Sequence, residues 1–127
     1  MPEIKRPLVK TRAPLEKNIQ ADIIAAINAL PDATVWRNAI AHAEFYDERR
    51  GGAAFVRAGL PEGSADLIGC VAGRFLALEV KRPGQKQRPA QVQWMGQVRH
   101  VRGFYAVVTS VAEALAAVER CRRGEIT

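Results

Sequence analysis

With 127 residues, the chain has room for one domain with a real core and none for a second. It is 48% hydrophobic and 25% charged, the balance of an ordinary globular protein, which argues against wholesale disorder; no apolar run approaches the ~20 residues of a membrane helix. Nineteen Lys and Arg against thirteen Asp and Glu leave a net charge of +6, which suits a polyanionic partner, nucleic acid being the commonest.

Met1 to Arg6 show no apolar stretch of the signal-peptide kind, so an intracellular, cytoplasmic setting is expected. Residues 1–12 carry Lys5, Arg6, Lys10 and Arg12 against Glu3 alone and read as a basic arm ahead of a single domain over 13–127. Pro14 suits a first helical turn, and Leu15, Ile19, Ile23, Ala26, Ile27 and Leu30 form one face of an amphipathic helix over 15–30. Thr34 to Ile40 reads as a strand. The Gly-rich stretch 41–65 reads as a long loop with a short piece of strand around Phe55 and Val56.

Asp66–Val71 and Arg74–Lys81 read as two strands joined by a tight Ala72-Gly73 turn. A basic loop follows over 82–88. Pro89 opens a helix running to about Arg102, with Val92, Met95, Val98 and Val101 as its apolar side and Gly103 as its stop. Phe104–Thr109 reads as a strand. Ser110 and Glu113 have the spacing of a capping box, opening a last helix over 111–122. The order of elements predicts an α/β fold, a mixed β-sheet flanked by helices. Cys70 and Cys121 are expected to be plain thiols, since His42 and His100 lack zinc-site spacing.

The hairpin carries the chemistry. Alternation puts Ala77, Glu79 and Lys81 on one face of their strand and Leu76, Leu78 and Val80 on the other. With a two-residue turn, Val71 faces Arg74, and counting outward sets Asp66 opposite Glu79. Opposed side chains stand ~4.5–5.5 Å apart at Cβ, where two carboxylates repel unless a cation lies between them. A Glu79–Lys81 ion pair with a solvated Asp66 is the plainer alternative.

Asp66, Glu79-Val80-Lys81 and the longer runs Gly59–Ile68, Arg74–Pro83 and Pro89–Gln91 resemble the VRR-Nuc branch of the PD-(D/E)XK nuclease superfamily, small stand-alone type, over about residues 15–115. Ala65 departs from the proline in the superfamily's name. The resemblance implies a restriction-endonuclease-like core and a metal-dependent DNA endonuclease. It implies Asp66, Glu79 and the Val80 carbonyl as ligands of Mg²⁺, with Mn²⁺ as substitute, and Glu16 as an outer acidic group of the metal site. It casts Lys81 as the residue that orients water and offsets transition-state charge, and Gln91 as one that positions water or phosphate. For Gln91 and Glu16, a solvated helix residue and a first-turn acid are the alternatives.

From Val80 to Ala112 there are six Lys or Arg and no acid. Arg82, Lys86 and Arg88, with Arg57 in the long loop, are expected to contact DNA phosphates. Trp36 and Trp94 are expected in the core rather than on bases. The expected substrate is structured DNA, four-way (Holliday) junctions in particular, cut by a homodimer that supplies two equivalent sites. The alternatives are a non-catalytic nucleic-acid-binding module, a monomeric flap or nicking nuclease, and a restriction-type enzyme.

Overall fold

The computed structural model describes residues 16–39, 41–47, 49 and 51–126; the side chains of Glu16, Lys17, 41–47 and 53–58 lie outside that description. The basic arm expected over residues 1–12 also lies outside the described residues. The element order is α1 (Glu16–Asn28), β1 (Ala33–Arg37), β2 (Ala41–Asp47), β3 (Gly52–Ala58), β4 (Leu67–Val71), β5 (Arg74–Val80), α2 (Pro89–His100), β6 (Phe104–Val108) and α3 (Val111–Arg122). The fold is α/β. A four-stranded mixed sheet runs in the order β1-β4-β5-β6, with β1–β4 and β4–β5 antiparallel and β5–β6 parallel.

Helices cover both faces. Ile19, Ile23 and Ile27 of α1 and Ala114, Ala117, Val118 and Cys121 of α3 pack on Leu76, Leu78 and Val80, forming the main core. On the other face Val98, Trp94 and Met95 of α2 pack on Ala65, Ala77 and Tyr105. The central strand β5 is therefore buried on both sides, as its near-continuous apolar sequence requires.

The stretch expected as a long loop over 41–65 instead holds a second, two-stranded sheet, with Ala41 opposite Ala58 and Asp47 opposite Gly52. The turn-forming residues cluster at its tip, where Gly51 has φ +67°. The flanking Phe45, Tyr46, Phe55 and Val56 are strand formers whose pairing partners lie within the same segment. Strand β1 stops at Arg37 rather than reaching Ile40, which lies outside the described residues.

The apolar side expected for α2 is rotated. Val92 and Val101 are exposed, while Gln91 and Val98 are buried with Trp94 and Met95 partly so. The inward positions 91, 94, 95 and 98 keep the helical spacing but start from a polar residue, because Gln91 has buried polar partners to satisfy. Trp94 packs on Tyr105, ring centroids 5.9 Å apart, as a core residue should. Trp36 does not: it is 60% exposed, because among the described residues no helix covers the β1 end of its face.

Three local devices hold the frame. The outer edge of β1 is closed by the Asn28 side chain, which accepts from the Val35 N–H at 2.8 Å and donates to the Val35 carbonyl at 3.3 Å. Ser110 Oγ accepts from the Glu113 N–H at 3.1 Å, as the capping spacing predicts, while the Glu113 carboxylate reaches back to the Thr109 N–H. The Ala72-Gly73 turn has φ of 48° and 81°. Both residues sit in the left-handed region, the conformation of a type I′ hairpin, and alanine is strained there. Ala72→Asn should therefore raise stability by about 1 kcal/mol in urea unfolding, with an unchanged m value.

Candidate active site

The β4–β5 register places Leu67 opposite Leu78 and Val71 opposite Arg74, as counted from the two-residue turn. Asp66 stands one residue before β4 and meets the end of β5. Its Oδ2 accepts from the Val80 N–H at 2.9 Å, which draws the carboxylate across to the Glu79 side. The segment ahead of it is clamped. Asn38 donates from its backbone to the Asp66 carbonyl at 2.7 Å, and from Nδ2 to Ser64 Oγ at 2.8 Å and the Ala65 carbonyl at 2.9 Å. Gly63, at φ +85°, lies so close to the start of α2 that a Cβ there would sit 2.3 Å from the Ala90 carbonyl oxygen. No side chain fits, so the loop before Asp66 is pinned between β1 and α2.

Glu79 is the centre of the cluster and is 2% exposed. Its Oε1 accepts from Gln91 Nε2 at 2.9 Å and lies 3.7 Å from Lys81 Nζ. Its Oε2 is buried without a hydrogen-bond partner. Burial, and then the charge of Asp66 beside it, push the Glu79 carboxyl up to about 8; the nearby Lys81 ammonium opposes this only in part. Lys81 is itself buried, and its backbone N–H donates to the Val108 carbonyl at 3.0 Å, so the residue is held in line beyond the end of β5.

Gln91 is neither solvated nor free. Its Oε1 accepts from the Arg88 N–H at 2.8 Å, so its Nε2 must face Glu79. One amide thus ties the start of α2 to the carboxyl group. The loop between β5 and α2 is held by two further glutamines: Gln85 Oε1 accepts from the Arg82 N–H at 3.0 Å, and Gln87 Nε2 donates to the Tyr105 hydroxyl at 3.1 Å. Tyr105 is fully buried beneath Arg99, and burial together with the charges of Glu79 and Asp66 pushes its phenol well above its usual range. The side chains of Arg82, Lys86 and Arg88 are exposed at this mouth.

Asp66, Glu79, Lys81 and Gln91 are therefore brought together by the fold. Glu16 opens α1 and Arg57 lies in β3, and the side chains of both fall outside the described ones. Among the described residues, no group of three or more His, Cys, Asp or Glu is placed to hold a metal ion. The donors present are nevertheless hard oxygens. A buried carboxyl beside a second carboxylate can share a proton with it or hold a small divalent cation between the two, and the donor set fits either. Asn38, Ser64, Gln87 and Tyr105 support the site and carry no motif in the sequence. The run of glutamines after Lys81 is the single hint, since glutamine supplies both donor and acceptor to a loop with no regular hydrogen bonding.

No family model and no curated protein matches the chain. Among the described residues no helix is long and apolar enough to cross a membrane.

Proposed function

We propose that this protein is a metal-dependent DNA endonuclease of the VRR-Nuc type on a restriction-endonuclease-like fold. The observation that carries the reading is the Glu79 carboxyl. It is buried at the end of a central strand, its Oε2 has no partner, Asp66 is alongside and Lys81 Nζ is 3.7 Å away. An arrangement that costs this much in the folded chain is of the kind met at functional sites. The hairpin register that opposes Asp66 and Glu79, and a mixed sheet flanked by helices, support the same reading.

Asp66, Glu79 and the Val80 carbonyl would hold Mg²⁺ or Mn²⁺, with Glu16 as an outer acidic group. When bound, the ion supplies Lewis acidity toward a phosphoryl oxygen and lowers the pKa of water. Gln91 fixes the Glu79 carboxylate, and through it the direction of its lone pairs. Lys81 orients the attacking water and offsets the charge that builds on the phosphoryl oxygens as the P–O bond to the leaving group breaks. Arg82, Lys86 and Arg88, with Arg57, take the flanking phosphates. The substrate is structured DNA in the cytoplasm, where the exposed thiol of Cys70 stays reduced. Four-way junctions cut by a homodimer are the preferred case, because one site cuts one strand and a two-fold pair cuts two.

The test is a panel of labelled duplex, flap, single-stranded and four-way-junction DNAs, incubated with Mg²⁺, Mn²⁺ or EDTA and run beside sedimentation equilibrium. Cleavage that needs the cation, fastest on junctions, with twice the chain mass, is expected. DNA binding without cleavage under any cation would leave a non-catalytic binding module. Cleavage of flaps by a monomer would replace junction resolution with nicking. Thermal unfolding gives a readout independent of turnover: Mg²⁺ should raise the melting temperature of the wild type and leave Glu79→Gln unmoved.

A further inference from the structure

We propose that the exposed indole of Trp36 is a stacking platform for an unpaired nucleobase beside the bond that is cut, so that the protein selects DNA with an unpaired nucleotide at that place, as at the opened centre of a four-way junction or the base of a flap. This rests on the nuclease reading and adds what the substrate must present. Trp36 lies in β1, the edge strand, and the register runs from it to Ile68, Ala77 and Tyr105 across the sheet. Asp66 and Glu79 are two residues further along on the same face, since alternate residues of a strand share a side. Trp36 is thus one strand across (~4.8 Å) and two residues along (~7 Å) from Asp66, about the span of one extended nucleotide.

Helix α2 covers only the β5–β6 half of this face. Ala77 and Tyr105 are buried there, whereas Trp36 is 60% exposed, Phe75 is 40% exposed, Cys70 is exposed and Ile68 is half-buried. Charge complementarity selects the occupant. Arg82, Lys86 and Arg88 are exposed on the loop that leaves β5 beside Glu79, at the end of the sheet where Asp66 lies. An exposed aromatic face on one side of the acidic cluster and cations on the other match a base joined to phosphates. Paired DNA hides its base faces in its own stack, so only an unpaired or terminal base can offer one to the indole.

The experiment measures binding and cutting separately. Fluorescence anisotropy in EDTA compares wild type, Trp36→Phe and Trp36→Ala on a single strand, a duplex with a single-stranded flap, and a fully paired duplex. A flap whose junction nucleotide is abasic is included. Trp36→Ala should weaken binding to the single strand and the flap about tenfold and to the paired duplex less than about twofold, with Trp36→Phe close to wild type. The abasic flap should lose the same factor with the wild type, an arm that needs no variant to fold. Equal loss on all DNAs, or an abasic flap bound as tightly as an intact one, would overturn the platform. Unchanged DNA binding with loss of the dimer in Trp36→Ala would overturn it too and make this face a self-association surface. Cutting with Mg²⁺ is scored in parallel. Discrimination without cutting sinks the nuclease reading and leaves the platform standing; cutting without discrimination does the reverse.

Discussion

Glu79→Gln and Asp66→Asn should each lower Mg²⁺-dependent cleavage by at least about a hundredfold while raising the melting temperature of the metal-free protein by a few degrees. The two effects have one cause. Glu79 is 2% exposed and has an unpartnered Oε2 next to Asp66. A carboxylate in that setting is costly to ionise and repels its neighbour; an amide keeps the shape and the Gln91 hydrogen bond without the charge. The loss of activity follows because an amide oxygen is a poor ligand for a hard cation. Lys81→Ala should also lose cleavage, but without the gain in stability, since it strips Glu79 of its nearest cation. Calorimetry in EDTA beside a timed cleavage assay checks all three. A fully active Glu79→Gln would remove the assignment of the site.

The stability of the metal-free protein should fall as pH rises from about 5 to 8. Glu79 is pushed up to about 8 in the folded chain, above its ordinary value of 4.5, mainly by burial and then by Asp66. Between those pH values the folded state holds a proton that the unfolded state has released. The stabilisation is therefore complete below about pH 4.5 and is lost as pH climbs through 8, at a limiting slope of about 1.4 kcal/mol per pH unit. Urea unfolding in EDTA across this range should show the decline, and Glu79→Gln should flatten it. Mg²⁺ added at pH 8 should recover the lost stability, because it favours the ionised carboxylates of the folded state. A flat profile for the wild type would mean that Glu79 is ionised throughout.

Much of this site is legible before folding. A two-residue turn in a hairpin determines the pairing of every residue along it, and period-two alternation determines the face; the position of Asp66 against Glu79 and the common side of Glu79 and Lys81 follow from local geometry alone. The helix positions and the capping of α3 by Ser110 follow from local periodicity and hydrogen bonding in the same way. Two features escape the local signals, for different reasons. The β2–β3 hairpin is hidden because glycines at its tip resemble a loop, while its strand signal is spread over residues whose partners are each other. Trp36 reads as core because hydrophobicity says that a side chain prefers burial, not that a helix is present to bury it.

By itself, then, the sequence determined the elements of the main sheet, the hairpin register and the identity of the acid–acid–base cluster, because each depends on contacts between residues near in the chain. Only the tertiary structure decided that Gln91 faces Glu79, that Asn38 clamps the segment before Asp66, that Tyr105 and Gln87 anchor the basic loop, and that Trp36 is left in the open. Those facts depend on which face each helix covers and where it stops. Packing across separations of 12 to 27 residues sets them, and no local pattern encodes it.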